Sequence, residues 1–179
     1  MLEEVVLVNE KDEPMGTMEK MAAHEQALLH RAFSVFVFNK NGDLLMQQRA
    51  FSKYHSGGLW TNTCCSHPRP GEQVADAATR RLQEEMGFTT SLAKAFDFTY
   101  KAAFENGLTE HEFDHVFTGM YEGPIHFNPN EVAAYAFMPV RELEAQIQET
   151  PERFTAWFHI AYPTLKTWMA DSQNKIHAF

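Results

Sequence analysis

The sequence predicts a mixed α/β (α+β) fold of one domain, in which a helix separates two β-hairpins. Each hairpin is marked by an Asn-Gly pair, Asn41-Gly42 or Asn106-Gly107, between segments rich in apolar and aromatic residues. Strands and helices therefore do not alternate as they do in a repeating βαβ fold. A chain of 179 residues is long enough to bury a sizeable core, and we expect one domain over residues 1–179.

In the first half of the chain, short apolar runs separated by turn residues predict three strands. They are Val5–Val8, Phe33–Phe38 and Leu44–Gln48. A turn-rich stretch ending at Pro14 and Gly16 follows the first strand, and residues 39–43 form the hairpin turn between the other two. Residues 49 to about 73 predict a long loop, and long loops inside compact domains are usually functional.

The second half begins with a helix predicted over Val74–Met86, because its apolar residues recur at helical spacing and Gly87 can end it. The later predicted elements are strands Phe96–Phe104, Leu108–Tyr121 and Ala133–Met138, a helix from Pro139 to about Gln148, and a helix from Phe154 to about Met169. We expect Pro163 to break the last helix.

The charge balance is acidic, with 15 Lys+Arg against 24 Asp+Glu and a net charge of −9. It disfavours nucleic-acid binding, which needs a basic surface. Residues 1–4 lack the basic and apolar regions of a signal peptide, and apolar runs such as Ala32–Phe38 are too short to span a bilayer. We therefore expect a cytoplasmic monomer or homodimer without a nucleic-acid or membrane partner.

The two cysteines of the chain, Cys64 and Cys65, are adjacent and lie in the stretch TNTCCSHP. Adjacent cysteines rarely form a disulfide, because the short ring strains the peptide between them, and a cytoplasmic setting keeps thiols reduced. A zinc site also fits poorly, since structural zinc sites separate paired cysteines by two or more residues. A reactive thiol and two small buried apolar side chains both remain open, and the two residues alone favour the second interpretation.

A group of acids lies on the second predicted hairpin, at Glu110, Glu112 and Asp114. Residues two apart on a strand point to the same face, so the three carboxylates project together. Like charges this close repel each other unless a cation or solvent relieves the repulsion. The strand therefore presents either a solvated acidic face, which the pair alone slightly favours, or a site for a divalent metal.

Histidines could complete such a metal site, and the chain has nine of them. His24 and His30 flank the start of a predicted strand, and His67 follows the cysteines. Imidazoles combined with carboxylates suit zinc, manganese or iron, whereas magnesium prefers oxygen ligands. Spacing cannot join such distant residues, and a single histidine is more often a surface residue. His111 and His115 should face away from the acids on their strand, so they are not candidates.

The predicted helix and the residues before it carry an ordered set of acidic, basic, apolar and glycine positions: Glu72, Arg80, Leu82, Glu84, Glu85, Gly87 and Phe88. These positions fit the spacing of Nudix proteins, in which helical acids bind divalent metals that carry a diphosphate. Ser66 replaces the first glycine of that motif, and Arg81 replaces its first helical glutamate. The spacing outweighs an ordinary ion pair between Arg81 and Glu85, but the lost acid argues against a hydrolase.

Four segments carry a more specific pattern, and they are LLHRAFSVFVFN (Leu28–Asn39), TNTCCSHP (Thr61–Pro68), RRLQEEMG (Arg80–Gly87) and EHE (Glu110–Glu112). In this order they resemble the type I isopentenyl-diphosphate isomerases, a divergent Nudix family, over nearly the whole chain. The resemblance implies a Nudix-like α/β/α sandwich with a mixed sheet and a Nudix core at about residues 30–165. It also implies interconversion of isopentenyl and dimethylallyl diphosphate in isoprenoid biosynthesis, with divalent metal and without flavin.

The resemblance assigns roles to individual residues. Cys65 is the family's thiol, whereas Cys64 has no equivalent role and is expected to be structural. The implied ligands of one ion (Mn²⁺, Zn²⁺ or Mg²⁺) are His24, His30, His67, Glu110 and Glu112. A second ion, Mg²⁺, would be bound by Glu85 and the substrate diphosphate. The basic residues around that diphosphate would be Lys20, Arg49, Lys53 and Arg81.

The implied reaction needs two proton-handling groups, one on each face of the substrate. The alkene is protonated to a tertiary carbocation, and a proton then leaves the carbon on the other side of the cation. Cys65 and Glu112 fit these roles in the family pattern, with Tyr100 as a hydrogen-bond partner. Trp157 would stabilise the cation through its ring, although it is equally well explained as a packed core residue.

Two other functions stay open from the sequence. A Nudix hydrolase would cleave nucleoside or isoprenoid diphosphates, but Arg81 and Ser66 depart from its motif and Cys65 has no role in it. A non-enzymatic metal-binding or interaction module would leave the combination of thiol, acids, histidines and basic residues without a purpose.

Overall fold

The computed structural model describes residues 3–176, with side chains described up to Asp171; residues 1–2 and 177–179 lie outside this range. The described chain forms one mixed sheet of nine strands and four α-helices. The strands are β1 (Glu4–Val8), β2 (Pro14–Glu19), β3 (His30–Phe38), β4 (Leu44–Arg49), β5 (Trp60–Thr61), β6 (Cys64–Ser66), β7 (Leu92–Ala103), β8 (Thr109–Met120) and β9 (Val132–Met138). The helices are α1 (Lys20–Glu25), α2 (Val74–Met86), α3 (Val140–Glu149) and α4 (Ala156–Ile176).

Strand β3 lies at the centre of the sheet. It pairs antiparallel with β1, β4 and β6 and parallel with β8. Strand β7 pairs antiparallel with β8, and β9 pairs antiparallel with β4. The predicted mixed sheet is confirmed. Because β3 and β8 pair along nine residue positions from His30↔Glu112 to Phe38↔Met120, their register determines which residues of these distant segments become neighbours.

Helices cover both faces of the sheet. Successive residues of a strand point to opposite faces, and β3 uses this alternation to build two cores. On one face Phe33 and Val35 pack with Leu82 of α2. On the other face Phe36 packs with Phe158 of α4. The expected α/β/α sandwich of a single domain is therefore confirmed.

Helix α2 ends at Gly87, the residue that the sequence indicated. Gly87 has a φ of 75°, in the left-handed region, and a Cβ there would overlap the backbone carbonyl of His126. Glycine is required because it has no Cβ. Two residues earlier, the carbonyl oxygen of Glu85 accepts a hydrogen bond of 2.8 Å from the Asn128 N–H. The end of α2 is thus held against the segment that follows β8.

Two predictions about strands were wrong. The stretch ending at Pro14 and Gly16 is not all turn, since residues 14–19 form β2, which pairs with β1. The predicted loop over residues 49–73 contains β5 and β6. Strands of two and three residues are too short to show a period of their own, and β6 exists because β3 pairs with it.

The helix predictions also need correction. Helix α1 was not predicted, because six residues give too little periodicity; the carboxylate of Glu19 caps it by accepting hydrogen bonds from two backbone N–H groups. Pro163 does not break α4, which continues to Ile176. Tyr162 and Leu165 pack in the core on either side of the proline. This packing compensates for the backbone hydrogen bond that proline cannot donate, so the helix continues. Among residues 3–176, no helix is long and apolar enough to cross a membrane.

Candidate active site

The sequence-predicted site residues meet at one pocket, on the face of the sheet that α4 covers. The predicted residues that line it are Lys20, Arg49, Lys53, Cys65, His67, Arg81, Glu85, Tyr100, Glu110, Glu112 and Trp157. The remaining two, His24 and His30, are fully buried, and both rings lie within 5.6 Å of the His67 ring.

The register of three neighbouring strands gathers the central groups. Across β7, β8 and β3, Tyr100 is paired with Glu112, and Glu112 with His30. Residues paired across a sheet share a face, so these three side chains project together. Glu110 lies two residues before Glu112 and therefore reaches the same pocket, as the alternation predicted.

Three buried imidazoles surround the Glu112 carboxylate. The Nδ1 atoms of His24 and His30 lie 2.7 and 2.8 Å from backbone carbonyl oxygens, to which each can donate. Such bonds fix the tautomer and leave the Nε2 lone pairs free for a ligand. His67 Nε2 lies 2.9 Å from Glu112 Oε1 and 3.2 Å from His30 Nε2. The Nε2 atoms of these rings therefore converge on the carboxylate.

This cluster fits a divalent metal. One donor atom from each of His24, His30, His67 and Glu112 lies within 4.8 Å of the other three, and all four residues are buried. Within the described part of the chain, His24 Nε2 has no hydrogen-bond partner. Buried polar atoms are normally paired, and a cation would satisfy this one. Imidazoles with a carboxylate suit first-row transition metals.

The two glutamates of β8 have opposite pKa shifts. Burial acts to raise the pKa of Glu112, but its close contacts with the rings of His30 and His67 hold it well below its usual range. Burial and the charge of Glu112 raise the pKa of Glu110 well above its usual range. The Tyr100 hydroxyl oxygen lies 2.7 Å from Glu112 Oε2 and 3.0 Å from Glu110 Oε2. Two carboxylates with opposite pKa shifts thus lie within hydrogen-bond distance of one hydroxyl.

The two cysteines point to opposite faces of β6. Cys65 pairs with Ser34 of β3 and lines the pocket. Cys64 is fully buried in the core cluster on the α2 side. Both are free thiols. Burial raises the pKa of Cys65, so its thiol is protonated at neutral pH. The alternation explains why one sequence pattern fits both a positioned thiol and a small apolar side chain.

The basic residues near α2 are held by acids. Arg81 Nη2 donates to Glu85 Oε1 at 2.7 Å and lies 3.3 Å from Glu131 Oε1. Lys53 forms an ion pair with the same Glu131. Glu85 is buried and also accepts a hydrogen bond of 3.0 Å from Gln47 Nε2. The two glutamates neutralise the charges of Arg81 and Lys53. A bound anion could replace the glutamates as the partner of these basic groups.

The other two basic residues lie over aromatic rings. Lys20 Nζ lies 5.2 Å from the centre of the Tyr54 ring and 3.1 Å from Glu3 Oε2. The Arg49 guanidinium lies 5.0 Å from the centre of the Trp157 ring. Trp157 is therefore part of the pocket wall, with a cation already placed against its ring.

Sequence reasoning missed six pocket residues, which are Ser34, Gln47, Tyr54, His55, Ser66 and Glu131. His55 Nε2 lies 3.4 Å from Glu110 Oε1, and burial lowers the pKa of His55 to about 3, so the ring is neutral. No spacing rule connects Tyr54, His55 or Glu131 to the motifs. The one available signal was the position of His55 within a long loop between two recognised segments.

Asp114, which the sequence placed in line with the other acids, lies deeper. It is fully enclosed and accepts a hydrogen bond of 2.7 Å from the Ser34 hydroxyl. Burial and the charge of Glu112 raise the pKa of Asp114 to about 8. Asp114 thus supports the floor of the site in its neutral form near pH 7.

Comparison with known proteins identifies the family. A model of the NUDIX domain matches residues 28–158. An isopentenyl-diphosphate Delta-isomerase of Pectobacterium atrosepticum is 49% identical over 170 residues, which cover 94% of this chain and 95% of that protein. Isopentenyl-diphosphate Delta-isomerase 2 of Aromatoleum aromaticum is 51% identical over 157 residues, 88% of this chain and 83% of that protein. This chain belongs to the type I isopentenyl-diphosphate Delta-isomerases of the Nudix superfamily.

Solved structures share the fold of this isomerase-family chain at lower identity. The crystal structure of DR0079 from Deinococcus radiodurans superimposes with a TM-score of 0.69 at 22% identity, covering 83% of this chain and 90% of that one. A MutT NUDIX hydrolase from Burkholderia pseudomallei gives 0.59 at 18% identity, covering 74% and 95%. These similarities support the Nudix fold and carry no conclusion about activity.

Proposed function

We propose that this protein interconverts isopentenyl diphosphate and dimethylallyl diphosphate in isoprenoid biosynthesis, as a metal-dependent enzyme that needs no flavin. The observation that carries the proposal is the meeting of a protonated thiol, Cys65, and an ionised carboxylate, Glu112, in one buried pocket. Two proton-handling groups in opposite protonation states are what a double-bond shift requires.

The diphosphate of the substrate is proposed to bind Lys20, Arg49, Lys53 and Arg81. Phosphate oxygens form strong charge-assisted hydrogen bonds with such groups. Binding would exchange the contacts of Arg81 and Lys53 with Glu131 for contacts with the diphosphate. Mg²⁺ carried by the diphosphate would be held by Glu85, which lines the same pocket.

In the forward direction one of the two groups donates a proton to the terminal carbon of the double bond. A tertiary carbocation results, and the other group accepts a proton from the neighbouring methylene. The new double bond forms there, so the diphosphate keeps all its atoms. Because the reaction is reversible, Cys65 and Glu112 exchange the roles of acid and base with its direction. The Tyr100 hydroxyl, next to Glu112, holds that carboxylate in place.

The carbocation must be stabilised and kept from water. We propose that the Trp157 ring faces the cation, because an indole attracts positive charge to its face. Trp157, Glu110 and Glu112 are buried, and Cys65 is half-buried. A dry pocket limits capture of the cation by water, which would give an alcohol in place of the isomer.

A divalent ion, Mn²⁺, Zn²⁺ or Mg²⁺, would be held by His24, His30, His67, Glu110 and Glu112. When bound, it supplies positive charge beside Glu112. The buried imidazoles orient the carboxylate in any case, since His67 contacts it directly. We also propose that the chain acts as one domain over residues 1–179, in the cytoplasm, as a monomer or homodimer. The net charge of −9 supports the absence of a nucleic-acid partner.

The test is an incubation with isopentenyl diphosphate and Mg²⁺ in heavy water, followed by NMR, with a parallel assay for released phosphate. We expect dimethylallyl diphosphate that carries deuterium and no phosphate release. Phosphate release without a shifted double bond would mean that the protein is a Nudix hydrolase despite Arg81. Binding without any turnover, unchanged in Cys65→Ala, would indicate a metal-binding module.

A further inference from the structure

His55 is a buried histidine to which the proposed function gives no role. It lies in the segment between β4 and β5 and is 7% exposed. Its ring is held on two sides: it stacks on Phe104 at 4.6 Å between centroids and meets the Trp157 ring edge-on at 5.8 Å. A polar ring fixed in this way needs a partner for each of its nitrogens.

The orientation of the His55 ring directs one nitrogen into the metal cluster. Nδ1 lies 3.3 Å from the Ser56 hydroxyl, to which it can donate. That bond leaves the lone pair on Nε2. Nε2 is enclosed, lies 3.4 Å from Glu110 Oε1, and has no hydrogen-bond partner in the part of the chain that the structure describes. His55 thus presents a free, buried donor atom beside a proposed metal ligand.

Two groups of donor atoms overlap here. One group joins His24 with His55 and Glu110, within 4.8 Å of one another. The other joins His24 with the remaining ligands, His30, His67 and Glu112. The two groups share His24, whose free Nε2 offers one lone pair and so can bind one cation. A cation bound by His24 would therefore draw its donors from both groups, with His55 and Glu110 on one side of His24 and drawn closer to the other donors than the 4.8 Å that bounds each group.

We propose that His55 is a sixth protein ligand of this ion, which completes a set of four imidazoles and two carboxylates. The inference rests on the metal site of the proposed function and adds one ligand to it. Four nitrogen donors favour a first-row transition metal over Mg²⁺, which prefers oxygen. Six protein donors also occupy all the coordination positions of an octahedral ion. The diphosphate would therefore bind the basic residues and Mg²⁺, and not this ion.

The experiment uses Co²⁺ as the probe. The full chain is freed of metal with a chelator, loaded with one equivalent of Co²⁺, and examined by X-ray absorption at the cobalt edge, where imidazole rings give a characteristic multiple-scattering pattern. We expect four imidazoles in the wild type and three in His55→Gln. The visible absorption of Co²⁺ should become stronger in His55→Gln, because five-coordinate Co²⁺ absorbs more than six-coordinate Co²⁺.

Affinity is the second readout. Competition with a chelator should show Co²⁺ binding at least about tenfold weaker in His55→Gln, since even partners of metal ligands contribute 10–100-fold. The matched control is His126→Gln, which replaces an exposed histidine outside the pocket and should bind Co²⁺ like the wild type.

Three imidazoles in the wild type would overturn the proposal, whether or not a variant folds. Weaker binding in His55→Gln with three imidazoles in both proteins would mean that His55 only orients Glu110. Deuterium incorporation by the same wild-type sample is measured separately. A failed imidazole count with normal isomerisation would therefore reject the sixth ligand and keep the proposed function.

Discussion

The two faces of strand β8 differ in chemistry although their residues alternate along the same stretch of chain. One face presents Glu110 and Glu112 to the pocket, buried among imidazoles and the Tyr100 hydroxyl. The other face presents His111 and His115, which contact turns near the start of the chain: His111 lies 3.0 Å from a backbone carbonyl and His115 3.0 Å from an aspartate. Whether a residue of β8 lines the pocket or makes structural contacts thus depends on its place in the two-residue alternation more than on its type.

The same contrast recurs in two other elements. On β6, Cys65 lines the pocket while Cys64 packs in the core. On α2, Arg81 lines the pocket while Arg80 forms ion pairs with Glu72 and Glu84. In each pair, the pocket residue can be mutated and its neighbour mutated in the same way as a matched control. The two residues are of the same type and differ in the face of the element that they occupy.

The largest effect is expected at β8. Glu112→Gln keeps the shape of the side chain but removes a proposed proton-handling group and proposed metal ligand, so isomerisation should fall by at least about 10²–10⁴-fold. Heavy-water NMR measures the rate, and circular dichroism checks the fold. His111→Gln, one residue away on the opposite face, should stay within a few-fold of the wild type. Equal losses in both variants would contradict the division between the faces.

The next effect is expected at β6. Cys65→Ala should lower the isomerisation rate by about 10²–10⁴-fold, because it removes the second proposed proton-handling group, with little change in stability. Cys64→Ala should keep substantial activity and lose about 1 kcal/mol of unfolding free energy, because it leaves a small void in the core. Rates and urea unfolding curves measure both. An inactive Cys64→Ala beside an active Cys65→Ala would reverse the assignment of the thiol.

A smaller effect is expected on α2. Arg81→Gln should raise KM for isopentenyl diphosphate by roughly 10–100-fold, since a hydrogen bond to a charged group contributes about 1.5–3 kcal/mol. Arg80→Gln should leave KM unchanged and lower stability by less than about 1 kcal/mol. Steady-state kinetics of the two variants at saturating Mg²⁺ separate these outcomes. A KM that rises equally in both would show that the helix, and not its pocket face, determines binding.

The smallest effect concerns the structural face of β8. Burial lowers the pKa of His115 even though Asp12 acts to raise it. A base with a lowered folded-state pKa contributes stability above its unfolded pKa of about 6.5, and that stability is lost as pH falls through the folded value. His115→Gln should therefore lose less stability than the wild type between pH 7 and 5, with unchanged activity at pH 7. Urea unfolding at several pH values tests this; parallel curves would contradict it.

Features that depend on neighbours along the chain could be predicted from the amino-acid sequence. Asn-Gly pairs located both hairpins, helical spacing and Gly87 located α2, and the two-residue period put Glu110 and Glu112 on one face. Local patterns succeed here because turn geometry and side-chain direction follow from a few adjacent residues. The motifs also indicated the family, which the comparisons show.

Contacts between distant segments could not be predicted in this way, because they depend on how the strands pair and pack. The parallel register of β3 and β8 brings His30 beside Glu112, and pairing with β3 makes β6 a strand and turns Cys65 toward the pocket. His55 reaches Glu110 from a segment without any motif. The physical reason is that register is fixed by packing of two faces at once, on α2 and on α4, and a short stretch of sequence contains neither partner.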